Sequence, residues 1–288
     1  MTLDQENIRK RVEAMKGVPT LPGIFEKITR LIDSSETAAA DIANIISSDQ
    51  ALSAKVLRLV NSAFYGFPGR ISNVTHALII LGFDVVKGIV LSTSVFDVML
   101  AEGLFGLWEH SLGCAVTAGV IARKIEHPDP EEVSVAGLLH DLGKVIIKIE
   151  LPDESSRIEE TVEKKQISIY EAEGDILGFS HATVGEWLSK KWNLPHTLSD
   201  PIAYHHTPGR ARLAPKQTAV VHLANVLIRA RGFGVGGDNL VPQIDPKAWE
   251  TLHISNALLE EIINEMDDKL EDAEDLLCDN GMGNGIKV

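Results

Sequence analysis

Apolar residues recur at helical spacing from one end of this sequence to the other, and strand-like alternation of apolar and polar residues is hard to find. A chain patterned in this way buries its apolar stripes by packing helix on helix, so the expected fold class is all-α. Thr2 can cap a first helix with Leu3, Ile8, Val12 and Met15 inward, ended by Gly17 and the Pro19–Pro22 break. Further helices are expected through Ile24, Ile28, Leu31 and Ile32, through Ile42, Ile45 and Ile46, and from Asp49 as cap through Leu52, Val56, Leu57 and Val60. Thr75–Leu81 and Phe83–Leu100 complete an N-terminal helical lobe, 1–103.

A second lobe, 104–231, is expected to hold helices at Trp108–Glu126, Glu131–Leu139, Ser168–Leu177, His181–Trp192, Thr197–Tyr204 and Pro215–Arg231. Glycines at 232, 234, 236 and 237 mark a loop that opens a C-terminal extension and tail, 232–288. Its acidic helix, Ser255–Leu277, reads as a solvated face, with homodimer packing as the alternative.

Charge and cysteine content narrow the partners. A formal net charge of -14 over 288 residues leaves no broad basic surface, so nucleic acid is not an expected partner. The N-terminus has no basic region before an apolar run, and the longest apolar stretches, such as Gly113–Ala122, are too short to span a bilayer. No membrane association is expected, and the cytoplasm is the expected compartment. The two cysteines, Cys114 and Cys278, are far apart and lack a C-x-x-C partner, which fits a reducing compartment and argues against a thiolate zinc cluster. Cys114 lies in an apolar helix and reads as packing.

Six of the ten histidines occupy positions that make sense together: His110, His140, His181, His205, His206 and, with least support, His222. His76, His127, His196 and His253 read as ordinary core or surface residues. The sharpest element is Gly137-Leu138-Leu139-His140-Asp141-Leu142-Gly143-Lys144, where an apolar helix ends in an imidazole beside a carboxylate. Gly143 would let the chain turn there, and Lys144 could face the same cleft. Imidazole with one carboxylate is a borderline ligand set, suited to one or two divalent transition-metal ions such as iron, manganese, zinc, cobalt or nickel.

The runs Trp108-Glu109-His110-Ser111, His140-Asp141-Leu142-Gly143-Lys144, Gly178-Phe179-Ser180-His181 and Ala203-Tyr204-His205-His206 resemble successive motifs of the HD superfamily of metal-dependent phosphohydrolases. With Leu21-Pro22, Asp49-Gln50-Ala51-Leu52, the stretch Leu57–Gly66 and Ala77–Gly82, the span from Val18 to Arg231 resembles more narrowly the HDOD family, the HD-related output branch. That resemblance implies a helical bundle with an N-terminal helical lobe. It also implies His110, His140 and Asp141 as ligands of a first metal, and His181, His205 and His206 as positions that hold a second in binuclear members. Where those enzymes place an aspartate on a late helix, this sequence has Asn225, a neutral and weaker ligand.

Two functions are therefore implied. One is a signal-transduction output protein acting through signalling proteins in trans or a small phosphorylated ligand, with the metal serving structure or sensing. The other is an active phosphohydrolase or cyclic-nucleotide phosphodiesterase, with Asp141 and Lys144 as catalytic residues. There a cation would lower the pKa of water so that hydroxide attacks phosphorus, and Lys144, Arg210 and Arg212 would neutralise phosphate. No Gly-Tyr-Pro follows His205-His206, so resemblance to the HD-GYP phosphodiesterases stops short.

Overall fold

The structure, a computed structural model, describes residues 3–14, 27, 39–61 and 71–277. The expected second helix, the end of the Leu57–Gly66 stretch, Cys278 and the end of the C-terminal tail lie outside the described residues. Within them the elements are α1 (Leu3–Ala14), α2 (Ala39–Ser47), α3 (Gln50–Val60), α4 (Val74–Leu81), α5 (Phe83–Ala101), α6 (Phe105–Lys124), α7 (Pro130–Leu139) and α8 (Leu142–Glu150). There follow α9 (Pro152–Lys165), α10 (Ile169–Leu177), α11 (His181–Lys191), α12 (His196–Tyr204), α13 (Pro215–Arg231), α14 (Pro246–Leu252) and α15 (Asn256–Leu277). No strand occurs among the described residues, so the fold is all-α as the periodicity requires.

Caps set several boundaries. Asp49 accepts a hydrogen bond from the Leu52 amide at 3.0 Å to open α3, and Asn73 accepts from His76 at 2.8 Å to open α4. Ser168 and Glu171 form a reciprocal capping box at the start of α10. Gly82 joins α4 to α5 directly at φ +82°, a backbone that a side chain would strain.

Two helices are apolar on nearly every side and so must be central. In α5 every residue from Val85 to Val95 is buried, and in α6 the same holds from His110 to Ala122. Helix α6 is the axis of the site region, contacted by α7, α13 and α15, while α5 packs on α7 and joins the core of α2–α4 to it.

Three helices were not expected from periodicity. α8 is nine residues long with glycine in its first turn, which reads as a breaker. α9 buries only Ser155 and Ile158, too few to show a stripe, although Pro152 at its start, Asp153 and Glu154 in its first turn and Lys164 and Lys165 in its last fit the helix dipole. α14 has only seven residues behind the Asp245 cap. The acidic helix α15 is not merely solvated: Ile262, Met266 and Leu270 are buried at four-residue spacing, and it packs on α6.

Candidate metal centre

The His140-Asp141 pair sits in the turn between α7 and α8, with His140 and Asp141 both fully buried. Gly137 brings α7 against α6, since a Cβ there would stand 2.9 Å from the Cys114 carbonyl oxygen. The sequence suggested that Gly143 permits a turn. It lies instead inside α8, and its need is close approach, because a Cβ would fall 2.0 Å from the His181 carbonyl oxygen at the start of α11. Helix α6 thus supplies His110, α11 supplies His181, and His205 and His206 follow the end of α12.

Asp141 is the hub. Its Oδ2 lies 3.4 Å from His110 Nε2 and 3.2 Å from His140 Nε2, and accepts a hydrogen bond from Lys144 Nζ at 2.6 Å. Its Oδ1 faces the other way, 3.2 Å from His181 Nε2 and 3.6 Å from His205 Nε2. His181 Nε2 is in turn 3.3 Å from His205 Nε2 and 3.0 Å from His206 Nε2. Ligand atoms of His181, His205 and His206, and separately of His140, Asp141 and His205, fall within 4.8 Å of one another. The structure therefore brings together every histidine of the implied ligand set, split between the two carboxylate oxygens.

The protonation pattern suits a cation. His140 Nδ1 donates to the Gly137 carbonyl at 2.7 Å, and His205 Nδ1 faces the Pro201 and Ile202 carbonyls at 3.2 and 3.1 Å. His181 Nδ1 lies 2.6 Å from Glu173 Oε2. A carbonyl can only accept, so Nδ1 of His140 and His205 carries the proton and Nε2 of the neutral ring presents a lone pair. Several lone pairs are then aimed at one carboxylate, an array that repels itself unless positive charge stands among them. His140 Nε2 and Asp141 Oδ1 are buried with no hydrogen-bond partner among the described residues, as metal-ligand atoms would be.

Electrostatics agree. Burial lowers His110 to about 4 and holds His205 and His206 well below the usual imidazole range, which keeps them neutral. Burial opposes charge on His181 too, but Glu173 and Asp141 outweigh it and raise that ring. For Asp141 burial acts upward, yet the adjoining imidazoles, His140 first, and the Lys144 ammonium hold the carboxyl well below its ordinary value.

The remaining predicted residues fare differently. Lys144 does reach the site, but its Nζ is divided between Asp141 Oδ2 and the Gly236 carbonyl at 2.8 Å. Arg210 is exposed, its guanidinium 5.5 Å over the Tyr204 ring, and Arg212 is exposed with its backbone amide on Asp200. Both stand outside the buried cluster. His222 is not available as a ligand: Nδ1 donates to the His205 carbonyl at 2.7 Å and Nε2 accepts from the Asp245 amide at 2.9 Å. It props the His205 backbone. Asn225 is buried on α13, and its Oδ1 has no hydrogen-bond partner among the described residues.

Two contributors were missed by the sequence reading. Glu173 is buried and takes both the backbone amide and Nδ1 of His181, fixing that ring. Its signal was an acidic residue on the inner face of α10, two positions after the capping glutamate. The glycine loop is the other: Gly234 at φ +68° lies so close to α6 that a Cβ would stand 2.2 Å from the His110 amide, and Val235 N donates to Gly106 O at 2.7 Å.

The helical body, with buried His and Asp groups gathered about one carboxylate, is what the motif resemblance implied. The chain belongs to the HDOD domain family, whose pattern matches residues 18–208. It is similar to an uncharacterized protein of Treponema pallidum (strain Nichols), 27% identical over 220 residues that make up 74% of this chain and 42% of the relative, so it spans less than half of that protein's length. Among solved structures it resembles an HDOD domain protein of unknown function from Geobacter sulfurreducens, at TM-score 0.71 and 27% identity, covering 93% of this chain and 96% of that one. It shares its fold with a phosphohydrolase candidate from Shewanella amazonensis SB2B, at TM-score 0.63 and 20% identity over 91% and 97% of the two chains.

Proposed function

We propose that this protein is a signalling output module of the HDOD type, in which the His/Asp centre holds one or two divalent transition-metal ions for structure or sensing rather than for turnover. The observation that carries the reading is closure. His140, Asp141, His181 and His205 are completely buried, and Lys144 is spent on Asp141 and a loop carbonyl rather than offered to a substrate. A hydrolytic metal keeps an open coordination position facing its substrate, whereas a structural one is enclosed. Asn225, in place of an aspartate, also leaves the donor set short of one negative charge.

The metal, when bound, would supply a fixed positive charge that the surrounding lone pairs lack. His110, His140 and Asp141 Oδ2 would hold one ion, and His181, His205, His206 and Asp141 Oδ1 a second. Input would come from a signalling protein in trans or from a small phosphorylated ligand. A cavity of about 580 Å³ meets the centre at Lys144 and Glu173, and with Glu159, Glu163, Glu173 and Asp238 in its wall against Lys144 and Lys148 it is net acidic, which favours the protein partner over a phosphorylated ligand.

Metal analysis of the purified protein, followed by hydrolysis assays on phosphodiesters and cyclic nucleotides with added manganese or iron, separates the two functions. Bound metal without turnover, unchanged in Asn225→Asp, is expected. Turnover abolished by Asp141→Ala would establish the hydrolase instead.

A further inference from the structure

The first metal position, as implied by family resemblance, has three strong donors, His110, His140 and one oxygen of Asp141, with Asn225 as a neutral and weaker one. We infer that Cys114 is the fourth, so that this chain holds its first ion in a mixed imidazole, carboxylate and thiolate site. The inference rests on the metal reading above and changes the chemistry of that site.

Cys114 lies one helical turn after His110 on α6, so both side chains leave the same face. Its Sγ is 3.6 Å from His110 Nε2, and the ligand atoms of His110, Cys114 and His140 all fall within 4.8 Å of one another. The residue is completely buried. His140 brings an unpartnered atom to the same cluster: its Nε2, fully buried and 3.2 Å from Asp141 Oδ2, has no hydrogen-bond partner among the described residues, while its Nδ1 is fixed on Gly137. Gly137 is also what lets α7 approach the Cys114 backbone, so one close contact sets the spacing between thiol and imidazole.

Three of the six donor separations are compatible with a tetrahedral site. With metal–sulfur near 2.3 Å and metal–nitrogen or metal–oxygen near 2.0–2.1 Å, tetrahedral angles put sulfur about 3.6 Å from nitrogen, and nitrogen about 3.3 Å from oxygen. The observed values are 3.6 Å for Cys114 to His110, 3.4 Å for His110 to Asp141 Oδ2 and 3.2 Å for His140 to Asp141 Oδ2. A thiolate also supplies the negative charge that Asn225 does not. On binding, the S–H bond breaks heterolytically, the sulfur keeps the pair and donates it to the cation, and one proton leaves to solvent, with no change of oxidation state. A sulfur donor moves the preference toward zinc, cobalt(II) or iron(II) and away from manganese or magnesium.

The test uses cobalt(II) added to the full chain stripped with a chelator. A thiolate bound to cobalt gives a near-ultraviolet charge-transfer band that imidazole and carboxylate ligands do not. The band should appear in the unaltered protein and persist in Cys278→Ser, whose only thiol is Cys114. It should vanish in Cys114→Ser, where zinc affinity should also fall by at least about tenfold, the lower bound seen even for residues one shell further out. Cobalt binding to Cys278→Ser without the band would overturn the thiolate ligand while leaving the metal centre standing. No cobalt binding to any variant would overturn both. The Cys278→Ser spectrum decides the matter even if Cys114→Ser does not fold.

Discussion

At the scale of single residues, Asp141 does two jobs that a sequence motif alone does not separate. Each oxygen serves a different group of imidazoles, and one also neutralises Lys144. Asp141→Ala should therefore abolish metal binding at both positions together, measured as metal per chain by atomic absorption. The metal-free variant should also lose about 3–5 kcal/mol of stability, because a buried ammonium is left without its partner. Retention of one metal per chain would show that the carboxylate is not shared. Glu173 acts through another residue: Glu173→Gln should keep the helical content and weaken metal affinity about 10–100-fold, by loosening the ring and tautomer of His181. The motif histidines could be read from sequence because their neighbours are distinctive. Glu173 could not, since what marks it is burial against an imidazole eight positions away, and neither helix announces which of its carboxylates turns inward.

At the scale of elements, close backbone approaches decide how the ligand-bearing helices meet. Gly137 seats α7 on α6, Gly143 seats α8 under the start of α11, and Gly234 lays the loop on α6. Gly137→Ala and Gly234→Ala should each lower the urea midpoint by the equivalent of about 1–3 kcal/mol, as overpacked contacts do. Gly174→Ala supplies the contrast. That glycine is exposed within α10 with open space around its Cα, so alanine there should stabilise by about 0.5–1 kcal/mol. Helix α3 was legible from its spacing and its Asp49 cap, and α13 from its apolar run between Pro215 and Gly232. Helices α8, α9 and α14 were not, because a short helix with few buried apolar residues takes its stability from what it packs against. The loop after α13 was visible as glycines. Its duty was not, since Arg229 and the amide of Ile169 both fasten Asp238, and the second of these contacts joins positions far apart in the chain.

At the scale of the whole molecule, the larger of two apolar clusters among the described residues extends from Ile42 of α2 to Leu270 of α15 and includes Leu139 and Leu142 on either side of the His140-Asp141 pair. No helix among the described residues is long and apolar enough to cross a membrane. Burying imidazoles in this core makes stability depend on pH in a definite direction. His110, His205 and His206 bind protons less readily folded than unfolded, so their contribution is complete above about pH 6.5 and is lost as pH falls toward the folded values. His181 runs the other way and loses its contribution as pH rises through its raised value. His222 and the half-buried His127 are lowered as well, so the metal-free protein should unfold at lower urea at pH 5 than at pH 7, His110 alone accounting for roughly 2 kcal/mol. An unchanged or higher midpoint at pH 5 would contradict the neutral state assigned to these rings.

The loop clamped by Gly106, Lys144 and Arg229 also sets a clock. An ion held at the centre is then expected to depart no faster than those bonds part, so that its residence time would belong to the protein rather than to the scavenger that removes it. Stripping rates should rise with chelator concentration and then level off at the opening rate. Gly236 offers the lysine only its carbonyl, so shortening that side chain with Lys144→Ala should lift the plateau.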